Sequence, residues 1–445
     1  MAPEVGLEPT TNSLTANCST TELLRNSAPH WRYLGIIDSA VAEVNQHFSC
    51  AVYNYAMIAR AIVDRMLSSI KVGGIVVHYP DGKSRKFGPG KPYFDMKINH
   101  PRVFRAILRN PTLGVGESYM NGSLELIGDI AAPGRLVAEN ATMFNSLPTF
   151  TKPLEKNSRT KQRSQIARHY DLGNEFYKLW LDESMTYSCA YFHHETDKLE
   201  TAQNQKVDYI LRKLQLQKGQ SVLDIGCGWG KLLIAAAEQY GASGHGITLS
   251  EEQYKLANER IKAAGLSDKI TVELLNYQDL ALRDIKFDRV VSVGMYEHVG
   301  QGNHATYFKA VDKLLKDDGL SVLHTISSPS GQPPDAWTAS YIFPGGFIPT
   351  VHDTVKIMES GPFELKDYEN LRFHYAMTLD EWLRRFENHK DEVIKRYGIE
   401  FYRMWRLYLG SSISGFRYGD LSLSQFVFTK GAHPGYPLTR EYLYS

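Results

Sequence analysis

Asp224 stands where the apolar run "SVLDI" opens into "GCGWG", a turn with glycines at alternate positions, Gly226, Gly228 and Gly230. Glycines let a backbone turn sharply and approach a bound molecule closely. A carboxylate at the mouth of such a turn repels a pyrophosphate and attracts a cation. S-adenosylmethionine, with its ammonium and sulfonium, is a ligand of the right charge. A dinucleotide fingerprint would place a third glycine where Lys231 stands and an acid about 20 residues on, at the end of the next strand. "GITLSEEQ" instead offers neutral Thr248 and Ser250, followed by Glu251, Glu252 and Gln253, so hydrogen bonds to a ribose fall to this cluster. The turn favours the methyl donor; a dinucleotide site and a purely structural strand-to-helix connection remain its other readings.

Further polar groups follow later apolar runs. "ELLNYQDL" brings Tyr277, Gln278 and Asp279 to where an adenine would be flanked, "DRVVSVGMYEHVG" delivers Glu297 and His298, and "SVLHTI" delivers His324. Taken singly, each reads as readily as a cap or a satisfied core residue. Together they follow successive strands beside a ligand turn, which is how a site is assembled.

The elements that must position them alternate from about residue 205. A helix at "QNQKVDYILRKLQ" leads to strand "SVLDIG", helix "KLLIAAAEQYG", strand "SGHGITLS", helix "EEQYKLANERIKAAG", strands "ITVELLN" and "FDRVVSVG", helix "HATYFKAVDKLLKDDG" and strand "LSVLHTI". Such alternation implies a mostly parallel sheet covered on both faces, with its ligand at the carboxyl ends of the strands. "LSQFVFTK" supplies the last, antiparallel strand of seven. Upstream, "YNYAMIARAIVDRMLSSI" has helical spacing, and "GGIVVHYPDGKSRKFG" reads as a hairpin turning at Pro80-Asp81-Gly82. "PRVFRAILRNP" reads as a helix closed by Asn110-Pro111. The expected organisation is a poorly ordered extension over 1–50, a small α+β domain over 51–148, a basic linker over 149–168 and a catalytic domain over 169–445. The linker carries Lys152, Lys156, Arg159, Lys161, Arg163 and Arg168; it reads as a solvated connection or as a contact for phospholipid headgroups.

Composition sets limits. Fifty basic and 49 acidic residues leave a formal net charge of +1, so no whole-molecule attraction to nucleic acid is expected. Cys18, Cys50, Cys189 and Cys227 lie far apart without a CxxC pair, which fits a reducing, cytoplasmic setting. His193-His194 has no ligand partner at useful spacing, so no metal is expected. No signal peptide and no run of about 18 apolar residues is found, so contact with lipid would be peripheral.

"HYDLGNEFY", "YSCAYF", "VLDIGCGWG", "GITLSEEQ", "LLNYQDL", "VGMYEHVG", "LLKDDGLSVLHTI", "YIFPGGFIP", "HYAMTLDEW" and "SQFVFTKG" together resemble the cyclopropane-fatty-acyl-phospholipid synthases, relatives of the mycolic acid cyclopropane synthases. The resemblance covers roughly residues 55 to 431. It implies a class I methyltransferase fold, Rossmann-like, with a seven-stranded mostly parallel sheet, preceded by the smaller α+β domain. In that chemistry a cis double bond of a phospholipid acyl chain attacks the sulfonium methyl, and the resulting carbocation loses a proton from the added methyl to close a three-membered ring. The resemblance implies that bicarbonate is the base, caged by Cys189, Glu297, His324, the backbone of Ile326 and Tyr375. It places S-adenosylmethionine against Tyr187, Ser188, Asp224, Gly226, Gly228, Trp229, Gly230, Thr248, Leu249, Ser250, Gln253, Tyr277 and Gln278. Tyr187, Tyr191 and Phe192 either stabilise the cation through their ring faces or pack in the core. It further suggests a homodimer acting peripherally on a bilayer of unsaturated phospholipid. Two alternatives stand: a fatty-acid methyltransferase that loses a different proton and leaves a methyl-branched or methylene product, and a catalytically silent S-adenosylmethionine- or lipid-binding module. The intact cage residues argue against the silent module, which has no need of a base.

Overall fold

In the computed structural model, which describes residues 51–144 and 172–444, strands assemble into one four-stranded and one seven-stranded sheet. The proposed extension and linker lie outside the described residues. A helix spans Ala51–Leu67. From Met66 onward the chain packs as one unit.

The small sheet has the order β2-β1-β3-β4, built from β1 (Ile75–His78), β2 (Ser84–Phe87), β3 (Phe94–Ile98) and β4 (Leu124–Gly128). The expected hairpin is β1-β2: Gly82 takes a φ of 79° and its N–H donates to the Tyr79 carbonyl at 3.0 Å. Positive φ is why glycine stands there. Asn110 ends the helix Arg102–Arg109 and caps the next, Pro111–Met120, by accepting the Leu113 N–H on its side chain, with Pro111 at the first helical position where its missing N–H costs nothing. Strands β3 and β4 are additions to the sequence reading.

The small sheet is joined to the long C-terminal helix Ile399–Arg417. Arg403 donates to the Tyr119 carbonyl at 2.8 Å and to Glu125 at 2.6 Å. Gly116 faces Trp337 so closely that a Cβ would lie 2.2 Å from the indole ring.

The large sheet has the order β10-β11-β9-β8-β5-β6-β7: β5 (Ser221–Ile225), β6 (Ser243–Thr248), β7 (Ile270–Leu274), β8 (Phe287–Val293), β9 (Leu315–Ser327), β10 (Phe363–Asn370) and β11 (Ser422–Lys430). β5, β6, β7, β8 and β9 pair in parallel, and β11 runs antiparallel to both neighbours. This is the class I methyltransferase sheet. One core gathers Leu232, Leu233, Ala257 and Ile261 with Ile210 and Val222; the other gathers Tyr307, Phe308 and Met358 with Leu223 and Val290. The chain runs from β5 outward to β6 and β7 and then crosses back to β8 on the other side of β5, so the strand order reverses there and a crevice opens at its carboxyl end. Two boundaries differ from the sequence reading. The helix expected to run through Gly319 ends at Leu314, and the strand begins at Leu315, with Asp318 at a φ of 57°. β10, "FELKDYEN", has no apolar alternation because it is an edge strand with half-exposed side chains.

Candidate active site

Positive φ values of 87°, 54° and 82° at Gly226, Gly228 and Gly230 shape the turn after β5. The N–H groups of Gly226 and Cys227 both donate to the Ile247 carbonyl on β6, at 2.9 and 3.0 Å, which pins the turn to the neighbouring strand. A cavity opens there, walled by the turn, by the ends of β6, β7 and β8, and by the segment 184–188. Among the expected cofactor residues, Tyr187, Ser188, Asp224, Gly226, Gly228, Trp229, Thr248, Leu249, Gln253 and Tyr277 line it. Gly230, Ser250 and Gln278 do not. Gly230 ends the turn in a left-handed conformation and begins the helix Lys231–Tyr240; Ser250 caps the helix Glu251–Ala263 by accepting the Gln253 N–H; Gln278 turns its amide to the Tyr277 hydroxyl, 3.2 Å away. Of the acidic cluster expected near a ribose, Glu251 is exposed and Glu252 accepts from Asn174. Gln253 reaches the cavity and accepts the Thr248 hydroxyl at 2.7 Å.

Asp224 is buried, and its Oδ1 has no hydrogen-bond partner in the protein. Burial pushes its pKa up to about 7, against the pull of nearby Lys206. A buried carboxylate oxygen without a donor is costly, and the cavity it faces is where a cationic ligand would supply one. Trp229 is fixed by donating its indole N–H to Asn174 at 2.7 Å, with its ring 5.4 Å from that of Tyr177. The segment carrying "TYSCAYF" is pinned to the helix Leu199–Lys213: Gln203 donates to the carbonyls of Thr186 and Ser188, Lys206 donates to the Ser188 hydroxyl at 2.8 Å, and the Tyr191 N–H reaches the Ala202 carbonyl.

Lys206 is a residue the sequence reading missed. Its ammonium lies in the cavity wall, and burial pushes its pKa down to about 8 while Cys189, Asp182 and Asp224 oppose that fall. Asn276, also missed, lines the cavity at the end of β7. His298 lines it as well, and burial lowers its pKa to about 4; the wall it forms is neutral, as suits a sulfonium.

The five expected catalytic groups lie outside this lining. Glu297 stands between cavity-lining Met295 and His298. Its Oε1 accepts the Ile326 N–H at 2.6 Å, so that N–H, expected to face an anion, is engaged by the carboxylate instead. Its Oε2 is buried without a partner, and burial raises its pKa to about 7. His324 lies two residues before Ile326 on β9, buried, its Nε2 unpartnered; burial, with Lys206 and Lys213, holds its pKa well below the ordinary value, so it is neutral. The fully buried Cys189 has its pKa raised by burial, which keeps it a thiol. The neighbouring Ala190 N–H donates to Thr378 Oγ1, one helical turn from Tyr375, whose ring packs 4.5 Å from Phe416. Tyr187 lines the cavity, whereas half-buried Tyr191 is stacked against Tyr209 and His374 and Phe192 is buried beside His374, so these two pack away from it. His193 and His194 donate their backbone N–H groups to Asp197, and no metal-binding cluster occurs among the described residues.

The family model for mycolic acid cyclopropane synthetase matches residues 157–426, and one for a domain of unknown function matches residues 62–146. The chain is 37% identical over 377 residues to a probable fatty acid methyltransferase of Pseudomonas putida, covering 82% of this chain and 94% of that protein. It is 39% identical over 356 residues to the cyclopropane-fatty-acyl-phospholipid synthase of Escherichia coli K12, covering 78% and 90%. Among solved structures, the mycolic acid cyclopropane synthase CmaA1 in complex with SAH and CTAB matches with a TM-score of 0.57 at 32% identity, over 60% of this chain and 98% of that one.

Proposed function

This chain belongs to the mycolic acid cyclopropane synthetase family of S-adenosylmethionine-dependent methyltransferases, and on that premise we propose that it is a cyclopropane-fatty-acyl-phospholipid synthase. Its substrate would be a cis-unsaturated acyl chain of a phospholipid. The alkene carbon forms a bond to the methyl carbon as the C–S bond breaks and S-adenosylhomocysteine departs. The cation left on the neighbouring carbon is quenched when the new methyl loses a proton and its C–H electrons close the ring. The observation that carries this reading is the pair of buried, unpartnered polar atoms beside the donor cavity, Glu297 Oε2 and His324 Nε2. Methylation of an alkene carbon leaves a cation that must shed a proton, and closing the ring requires that proton to be taken from the added methyl.

Those two atoms suit a small oxyanion, one as acceptor or acid and the other as donor, and on the family resemblance Tyr375 and the Cys189 thiol would complete its surroundings. Bicarbonate bound there would supply the base for the proton. The protein's own contribution is to hold that proton's path dry and to orient the groups around it. Neutral His298 and His324 keep like charge away from the developing cation.

The Pseudomonas putida relative supports a second reading, a methyl-branched or methylene product from the same cation. Mass spectrometry of lipids from cells expressing the protein separates them. Both add one CH2, but loss of a different proton leaves a double bond, in a methylene group or a methyl-branched chain, that takes up hydrogen under mild catalysis, and a cyclopropane does not. Acyl chains that gain CH2 and then take up hydrogen would overturn the synthase reading.

No helix among the described residues is long and apolar enough to cross a membrane, so the acyl chain would be met from the bilayer surface. The exposed hairpin residues Lys83, Arg85 and Lys86 offer a basic edge. Each such charge near an anionic surface is worth about 1 kcal/mol, so the double variant Lys83→Glu/Lys86→Glu is expected to sediment with anionic vesicles at least about tenfold less at low salt. Raising the salt should narrow the difference. Equal sedimentation would remove the hairpin from the membrane-facing surface.

A further inference from the structure

Glu369 on β10, Gln425 on β11 and His324 on β9 are direct cross-strand partners in the sheet register, and Lys213 projects onto this row from the helix Leu199–Lys213. Lys213, Gln425 and His324 are almost wholly buried. Lys213 donates to Glu369 and, at 2.7 Å, to Gln425 Oε1; it also lies 4.5 Å from the Tyr209 ring centre, and the Tyr209 hydroxyl donates to Glu369 at 3.0 Å. Gln425 Nε2 lies 2.9 Å from His324 Nδ1.

An ammonium has donors and no acceptor, so the Gln425 atom facing Lys213 must be the amide oxygen. The amide nitrogen, which can only donate, then faces His324. A donating amide requires an accepting ring nitrogen, which leaves Nδ1 bare and places the ring proton on Nε2. Nε2 is the atom without a protein partner. We propose that Lys213 and Gln425 are positioning residues that lock His324 as its neutral Nε2–H tautomer, so that it presents a hydrogen-bond donor to an anion in the site. A fully buried lysine is expensive to keep, and what this one does besides pairing with Glu369 is fix which way an amide points. The inference rests on the reading of His324 as a catalytic group for its consequence in turnover, though not for the tautomer itself.

The test uses the full-length protein with 15N-labelled histidine, His324 being assigned by the signals lost in His324→Gln. Two-dimensional proton–nitrogen spectra should show His324 with a protonated Nε2 and a bare Nδ1 in the absence of any substrate. Gln425→Glu replaces the donor facing Nδ1 by an acceptor, so the proton should move to Nδ1. The kcat of this variant should fall about tenfold or more, as when a histidine loses its orienting partner, with affinity for S-adenosylmethionine unchanged by calorimetry. Gln425→Met, which offers Nδ1 neither donor nor strong acceptor, should give a mixture of the two tautomers. A wild-type proton on Nδ1, or an unchanged tautomer in Gln425→Glu, overturns the inference; so does a moved proton with unchanged kcat. Because the spectra need no substrate, the tautomer result stands apart from whether the lipid product proves to be a cyclopropane.

Discussion

Glu297→Gln is expected to fold, to bind S-adenosylmethionine as the parent does, and to lose at least about 100-fold in turnover, the lower range for a missing acid or base. The glutamine oxygen can still accept the Ile326 N–H that Glu297 Oε1 receives, so the backbone of β9 keeps its anchor. What changes is the second atom: Oε2, buried and unpartnered, becomes an NH2 that can neither take nor release a proton at working pH. Stability should move the other way. The folded pKa of Glu297, about 7, lies above the ordinary value of about 4.3. The stability linked to its protonation is therefore full below about pH 4 and lost as the pH rises through about 7. The glutamine has no such loss, so the variant should melt no lower than wild type at pH 8. Lost activity with undiminished melting temperature separates a functional carboxylate from a structural one. Bicarbonate-depleted buffer should depress the wild type more than the variant. Equal depression of both would leave Glu297 outside the oxyanion site.

Alternating helix and strand, the glycine turn and the acids and histidines after successive strands were legible because each depends on local sequence. "SVLDI" is buried on both faces, and a run that must be apolar on every side announces itself. β10 was hidden because an edge strand with charged, half-exposed side chains needs no apolar pattern. Ser250, Gly230 and Gln278 show a different limit. They belong to the right motifs, but caps and turns next to a ligand use the same residue types as the ligand site itself. Tyr191 and Phe192 lie within the "YSCAYF" motif and still miss the cavity, since stacking on Tyr209 and His374 holds the first and packing beside His374 holds the second.

Lys206 and Lys213 were missed although a signal was present. Leu199, Gln203, Lys206, Ile210 and Lys213 recur at intervals of three and four, so they share one helical face, and all five are buried. Leu199 and Ile210 mark that face as the inner one, which puts three polar side chains where apolar ones are expected. Polar residues on an apolar face are the part of a helix that packing alone does not explain. Here Gln203 and Lys206 hold the "TYSCA" segment against the site, while Lys213 reaches across to Gln425. One helix thus carries the groups that brace both sides of the proposed chemistry, though none of its residues stands in a strand-end motif.

The affinity for S-adenosylmethionine should depend on pH through Asp224. Without ligand, burial holds this carboxyl at a pKa of about 7, so it is ionised at pH 8 and protonated at pH 5.5. A cationic ligand binds the ionised form, and below the pKa each pH unit costs about tenfold. The dissociation constant should therefore rise by about 30-fold between pH 8 and pH 5.5. Asp224→Asn should bind more weakly at pH 8 by about 1.5 to 3 kcal/mol, the range for a hydrogen bond to a charged group, and should lose the pH slope. Glu297 titrates near the same pH, so the assignment needs Glu297→Gln as a control that keeps the slope. If calorimetry finds the slope intact in Asp224→Asn, the acid at the mouth of the glycine turn does not hold the cation. Protein stability supplies an independent reading. Asp224 also has a folded pKa above its unfolded value, so its protonation stabilises the unliganded fold, and that contribution is lost as the pH rises through about 7. Ligand offsets the loss by pairing with the carboxylate, and a ligand that binds the folded form raises its melting temperature by an amount that grows with the logarithm of its affinity. S-adenosylmethionine should then raise the melting temperature more at pH 8 than at pH 5.5 in the wild type, and by about the same amount at both in Asp224→Asn. Affinity and melting would both follow from one buried oxygen whose partner is the ligand.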